Sequence, residues 1–233
     1  MLYLTLKKTY AFVVLLSSLL VCVMILPQVK QAFDYIPVSM AVNKINSKNR
    51  LTNEQLVELI TTAQNNISVS DAHDWEDLSI LWFQLAQQQG LNKIASLHSL
   101  QQAKHSIEQS LYYAPSNAFL WYRLALIDTL LQLPNKKVTQ LLLMSILTGP
   151  YELQYLIPRL NFCLLFFSEL TTDDEKDMVR QQLITAWTVS PQTVIGYLKI
   201  NSNNLTVITE LLKEKDADLL QEITVMMNKQ KTK

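Results

Sequence analysis

The stretch that decides the fold is SLYYAPSNAFLWYRLA, which runs from Ser110 to Ala125. It places a proline five residues after a small residue, and a tryptophan six residues after that proline. A proline interrupts a helix in its interior but is well tolerated in the first turn of the next helix. We therefore interpret the stretch as a junction, with one helix ending near Pro115 and the next containing Trp121.

The residue pattern that precedes Pro115 occurs three times in the chain. In each copy four residues share one helix face, the third of them is small or short enough for a neighbouring helix to approach, and a proline follows. The copies are Ala103, Ile107, Ser110, Leu111 and Pro115; Val138, Leu142, Ser145, Ile146 and Pro150; and Val179, Leu183, Ala186, Trp187 and Pro191. Because one helical hairpin is too small to bury its own apolar face, this repetition predicts stacked hairpins.

A second pattern begins the helix after the junction, as WYRLA at 121–125, and it also occurs as WFQLA at 82–86. Together the two patterns resemble the tetratricopeptide repeat, a helix-turn-helix unit of about 34 residues. The resemblance covers roughly residues 75–195 and is in phase at every motif position from Ala103 to Ala125. It implies a short α-solenoid of helical hairpins.

The resemblance is weaker towards both ends of this range. The repeat that contains Trp82 has about five extra residues in its turn, near GLNKIASLH. In a later repeat Pro158 falls inside the expected first helix, and Leu156 stands where the bulky aromatic residue would be. Atypical terminal repeats are expected, because a capping repeat faces solvent on one side.

Composition supports an all-α fold. The 233 residues include only 3 glycines, and 49% of them are hydrophobic. Few glycines favour helices with short turns over sheets with tight hairpins. The 20 basic and 20 acidic residues cancel, so the charge balance predicts no nucleic-acid partner.

The run from Tyr10 to Leu26 carries no charge and is preceded by Lys7 and Lys8. As a helix it would be about 26 Å long, near the lower limit for crossing a bilayer. We expect residues 1–27 to be an uncleaved transmembrane anchor; a cleaved signal peptide and a buried helix are the alternatives. The basic residues before the run favour a cytoplasmic N-terminus and a C-terminal domain outside the cytoplasm.

The remaining chain is predicted to consist of a linker at 28–50 and a helical-repeat domain at 51–233. Pro37 and scattered polar residues without a clear period indicate the linker. Three stretches have the pattern of a capped helix start. They are Thr52 with Gln55, Ser70 or Asp71, and Thr172 with Glu175.

No pattern typical of catalysis, of a metal site or of a cofactor site is found, so we expect a protein that is not an enzyme. The glycines at 90, 149 and 196 cannot form a phosphate-binding loop. His73 lies among acidic residues, but these are explained by a helix start that complements the helix dipole. Cys22 lies in the apolar run, and Cys163 is interpreted as a small buried hydrophobic residue.

In proteins that this chain resembles, the first helix of each repeat lines a groove that binds extended peptides or partner helices. Carried onto this sequence, the resemblance places seven residues in such a groove. They are Ile80, Phe83 and Gln87 from one repeat, and Phe119, Tyr122, Leu126 and Thr129 from the next. The alternative is that these aromatic residues only pack against neighbouring helices.

The arrangement of an anchor and repeats resembles that of bacterial inner-membrane tetratricopeptide proteins, which accompany export or polysaccharide-synthesis machinery. The implied function is that of a single-pass inner-membrane adaptor or scaffold with a periplasmic domain that binds a protein or peptide. The alternative is a structural subunit that self-associates as a homo-oligomer and has no peptide-binding groove.

Overall fold

A computed structural model describes residues 2–47, 49–68, 70–91, 93–200 and 204–229, with side chains described from residue 14 onwards except at 199, 200 and 229. Within these ranges the chain forms eleven α-helices and one short 3-10 helix, and none of the described residues lies in a strand. The predicted all-α class is confirmed.

The helices follow one another with short turns. They are α1 (Leu2–Asn46), α2 (Asn53–Asn66), α3 (Ala72–Gln89), α4 (Ile94–Tyr113), α5 (Ala118–Leu130), α6 (Asn135–Thr148), α7 (Leu153–Leu165), the 3-10 helix (Phe167–Glu169), α8 (Asp173–Val189), α9 (Pro191–Ile200), α10 (Asn204–Leu212) and α11 (Ala217–Lys229). Thr52 and Thr172 start α2 and α8 with the predicted capping boxes. Asp71, rather than Ser70, caps α3 by accepting a hydrogen bond from the backbone N–H of His73.

Helix α1 is longer than predicted, because it continues through Pro27 and Pro37 to Asn46. The predicted linker at 28–50 is therefore wrong for residues 28–46. A proline costs a helix one hydrogen bond and some steric strain, which burial of apolar side chains offsets. Tyr35, Val38 and Val42 are buried in a core cluster with residues of α2 and α3, so the end of α1 belongs to the folded domain.

The first part of α1 has the properties expected of an anchor. Among the described residues it is the one helix that is long and apolar enough to cross a membrane, within the segment Val14–Asn46. None of the residues in its most apolar window is buried. The structure therefore does not support the alternative in which the apolar run is a buried helix.

The repeated sequence pattern lies in the second helix of three consecutive helix pairs, α3 and α4, α5 and α6, and α7 and α8, and the two helices of each pair contact each other. All twelve helical positions of the three copies are buried. Each second helix also ends with the same type of backbone hydrogen bond. The donors and acceptors are Ala114 N–H to Ser110 O at 2.8 Å, Gly149 N–H to Ser145 O at 3.2 Å, and Ser190 N–H to Ala186 O at 2.9 Å.

The first two hairpins share a further internal contact. Ser110 of α4 donates its hydroxyl to the carbonyl oxygen of Ala72, the first residue of α3, at 2.7 Å. Ser145 of α6 donates to Ala118, the first residue of α5, at the same distance of 2.7 Å. The small residue of the motif therefore joins the two helices of a hairpin where they approach each other.

Two apolar clusters stabilise the described part of the chain. The larger extends from α3 to α11, and the smaller joins α1, α2 and α3. Trp82 packs against both clusters. Helix α3 thus connects the end of α1 with the rest of the domain.

Candidate partner-binding surface

The three groove residues predicted on α3 have different environments. Ile80 is only 5% exposed and belongs to the cluster shared with α1 and α2. The sequence interpretation did not anticipate this, because it treated the end of α1 as a linker that leaves α3 uncovered. Phe83 is also buried, in the larger cluster, whereas Gln87 is exposed.

The four residues predicted on α5 are all half-buried. Phe119, Tyr122 and Leu126 pack against the larger apolar cluster with one side. Thr129 donates its hydroxyl to the carbonyl oxygen of Ala125 within the same helix, at 2.9 Å. Burial raises the pKa of Tyr122 above its ordinary value of 10.0, which keeps the phenol neutral.

Aromatic rings from α7 meet those of α5. The ring centroid of Tyr155 lies 5.3 Å from that of Phe119 and 6.1 Å from that of Tyr122, both in stacked orientations. Phe162 contacts Tyr122 edge-to-face at 6.1 Å, and Phe166 lies 6.3 Å from Phe162. We call these five residues, Phe119, Tyr122, Tyr155, Phe162 and Phe166, the aromatic row.

Arg123 lies beside the aromatic row and connects α5 with α3. Its guanidinium carbon is 4.7 Å from the ring centroid of Phe119 and 5.7 Å from that of Phe83. One of its terminal nitrogens, Nη1, is buried and has no hydrogen-bond partner among the described residues. Burial lowers the pKa of Arg123 to about 10, although Glu76 acts in the opposite direction, so the side chain is charged at neutral pH.

The sequence interpretation missed the contribution to this surface of α7 and of Phe166, the residue that follows it. Tyr155, Phe162 and Phe166 have spacings of seven and four residues, which is typical of one helix face. The signal was present but was disregarded, because Pro158 marked this repeat as degenerate. In the structure Pro158 is inside α7 without ending it.

The surface offers contacts for binding. Half-buried aromatic rings bind apolar and aromatic side chains, and a guanidinium binds acceptors such as carboxylates or carbonyl groups. Among the described residues, no three His, Cys, Asp or Glu side chains are placed to hold a metal ion. The thiol of Cys163 is buried, and its pKa is raised to about 12 by that burial.

Comparisons with known proteins give no family assignment. No protein-family model, curated protein or solved structure matches the chain.

Proposed function

We propose that this chain is a membrane-anchored helical-repeat protein, similar to tetratricopeptide proteins, that binds a protein or peptide partner along α3, α5 and α7. One observation carries the proposal. Phe119, Tyr122, Phe162 and Phe166 are only half-buried and belong to one row of rings, in which the buried Tyr155 links Phe119 to Tyr122. Partly exposed aromatic side chains that lie side by side are typical of binding surfaces.

Arg123 adds specificity to this proposed site. Arg123 is half-buried beside the aromatic row, and its positive charge favours a carboxylate or another acceptor group of the partner nearby. The two phenyl rings beside it restrict its orientation. Interfaces concentrate their binding energy in a few aromatic and arginine residues of this kind.

The proposed cellular role is that of an adaptor or scaffold in a bacterial envelope assembly. The apolar part of α1 supports an inner-membrane anchor, and the basic residues before it support a periplasmic domain. A reporter that is active only outside the cytoplasm, fused after Lys233, tests the orientation. Activity is expected, and an inactive reporter would contradict the periplasmic location.

The binding site is tested by replacing one residue of the aromatic row. The tagged chain is purified in mild detergent after reversible cross-linking in its native membrane, and stoichiometric partners are quantified. Tyr122→Ala should reduce the amount of a bound partner at least about tenfold, since it removes a central ring. The matched control is Tyr112→Ala, because Tyr112 lies on α4 and is 77% exposed.

The control variant should retain the partner. Circular dichroism must show that both variants fold. If the two variants lose the partner equally, or if the wild-type chain has no stoichiometric partner, the proposed site is wrong. The alternative function, a self-associating subunit without a peptide-binding groove, would then be favoured by a chain that purifies only with copies of itself.

A further inference from the structure

Helix α1 carries a continuous apolar stripe that no other described part of the chain covers. We define the α1 stripe as Leu15, Leu19, Cys22, Leu26, Val29, Phe33, Ile36 and Met40. Successive members are separated alternately by four and three residues. All are exposed, and the exposed fractions of the members other than Cys22 range from 42% to 67%.

The stripe lies opposite the face of α1 that packs on the domain. Tyr35, Val38 and Val42 on that face are buried. In a seven-residue helical repeat, these three residues lie on the side of the helix that faces away from the stripe. Beyond Pro27 the chain therefore buries one face of α1 itself and leaves an apolar face exposed on the other side.

Lipid does not account for the end of the stripe. A bilayer core of about 30 Å holds about 20 helical residues, and the uncharged run begins at Tyr10. Twenty residues from Tyr10 end at Val29, so Phe33, Ile36 and Met40 lie beyond the hydrocarbon, and Met40 is 11 residues or about 16 Å past Val29. Lys30 and Asp34, in the same segment, also indicate an aqueous surrounding.

An alternation of four and three residues is the pattern by which two parallel helices pack knobs into holes. A second copy of this chain fits that pattern best, because a membrane anchor gives all copies the same direction and the same height. The flanking positions do not oppose the contact. In parallel copies Ile25 faces Lys30, Ala32 faces Pro37, and Ser39 faces Lys44, so no like charges meet.

We infer that the α1 stripe is a self-association interface, along which α1 forms a parallel coil with α1 of further copies of this chain, through the membrane and up to Met40. This inference goes beyond the proposed binding function, which concerns α3, α5 and α7, and it rests on the proposed membrane anchor. It would place at least two partner-binding surfaces on one membrane-bound assembly.

Disulfide cross-linking in membranes tests the interface. In a chain carrying Cys22→Ser, Phe33→Cys puts a thiol on the stripe and Asp34→Cys puts one on the neighbouring exposed position off the stripe. A disulfide requires Cα atoms within about 7 Å. Phe33→Cys should yield at least fivefold more dimer on mild oxidation than Asp34→Cys. Cys163 does not interfere, because it is buried.

Equal yields from the two variants, no dimer from either, or cross-linking of Phe33→Cys to a different protein would each overturn the inference. A second measurement is the mass of the full chain in mild detergent by analytical ultracentrifugation. Phe33→Lys should convert the self-associated chain to monomer with unchanged circular dichroism, whereas Asp34→Lys should leave the association intact. Self-association that survives Phe33→Lys contradicts the interface.

The two proposals can fail independently. Tyr122→Ala, which lies far along the sequence from α1, should retain the Phe33→Cys cross-link. Loss of that cross-link in the Tyr122→Ala chain would contradict the assignment of self-association to α1.

Discussion

Arg159 donates a hydrogen bond from Nη1 to the carbonyl oxygen of Ser145 over 2.7 Å. Nη1 also donates to Gly149 O at 3.0 Å, and Nη2 donates to Pro150 O at 3.3 Å and to Gln182 Oε1 at 2.5 Å. Carbonyl groups at the end of a helix have no helical partner and carry the negative end of the dipole. Arg159 of α7 therefore caps α6, and it does so while 0% exposed and without a paired carboxylate among the described residues.

Replacing this arginine should destabilise the domain strongly. Arg159→Leu keeps an apolar side chain in place but leaves Oε1 of the buried Gln182 without a donor. The carbonyl oxygens of Ser145 and Gly149 lose one donor each and keep a backbone N–H donor. An unpaired buried acceptor costs about 1–3 kcal/mol, and we expect a loss of about that size in the free energy of unfolding. Urea denaturation of the detergent-solubilised chain, followed by circular dichroism, measures it. A change below about 0.5 kcal/mol, the size of an ordinary surface substitution, would show that the cap is unimportant.

Gly149 should tolerate no side chain, because a Cβ atom there would lie 2.5 Å from Cβ of Ala118 and 2.9 Å from Cγ of Glu152. Gly149→Ala is expected to destabilise the chain by about 1–3 kcal/mol through overpacking. Gly196 is the matched control, since a Cβ atom there meets nothing within 4 Å. Gly196→Ala, inside α9, should stabilise by about 0.5–1 kcal/mol. Thermal unfolding of both variants measures whether Gly149→Ala lowers the stability and Gly196→Ala raises it.

Asp77 should make the stability of the domain depend on pH. Burial, with the neighbouring charges of Glu76 and Asp74, raises its pKa from 3.8 to about 6, while His73 and a hydrogen bond from Ser39 of α1 oppose the shift. Because the pKa is raised, the protonated carboxyl of Asp77 contributes to the stability of the fold. This contribution is fully present below about pH 3.8 and is lost as the pH rises through about 6.

The variant Asp77→Asn should remove that dependence. At pH 7 we expect it to be more stable than the wild type by about 1 kcal/mol, after allowance for solvent screening of a partly exposed carboxyl. At pH 4 the advantage should disappear. Glu58→Gln, at an exposed position of α2, serves as the control. Unfolding midpoints that change with pH equally in Asp77→Asn and in the wild type would contradict the assignment.

Cys163 should be unreactive in the folded chain, because its thiol is buried and its pKa is raised to about 12. In a chain carrying Cys22→Ser, labelling by a water-soluble maleimide is expected to be at least about 100-fold slower in buffer than in urea. Leu147→Cys, at a position that is 65% exposed, provides a reactive reference on the same chain. Comparable rates at the two positions would mean that the α7 core opens readily.

Much of the fold could be predicted from local sequence. The three motif copies have all their helical positions in the core, and Thr52 and Thr172 form the expected capping boxes. The candidate surface was predicted less completely. Phe119 and Tyr122 lie in the aromatic row, but Ile80 lies in the cluster with α1, and the rings of α7 were not anticipated.

Amino-acid sequence by itself determined the helical class, the apolar run near the N-terminus and the starts and ends of several helices. These features depend on residues that are close together along the chain: a period of apolar side chains, a capping hydroxyl, a proline after a small residue. Tertiary structure alone decided that α1 continues past Pro37 to cover Ile80, and that Arg159 is buried against α6. Such outcomes depend on free energies of burial and hydrogen bonding between residues far apart in sequence, which outweigh the local preference against a proline in a helix or a charge in a core.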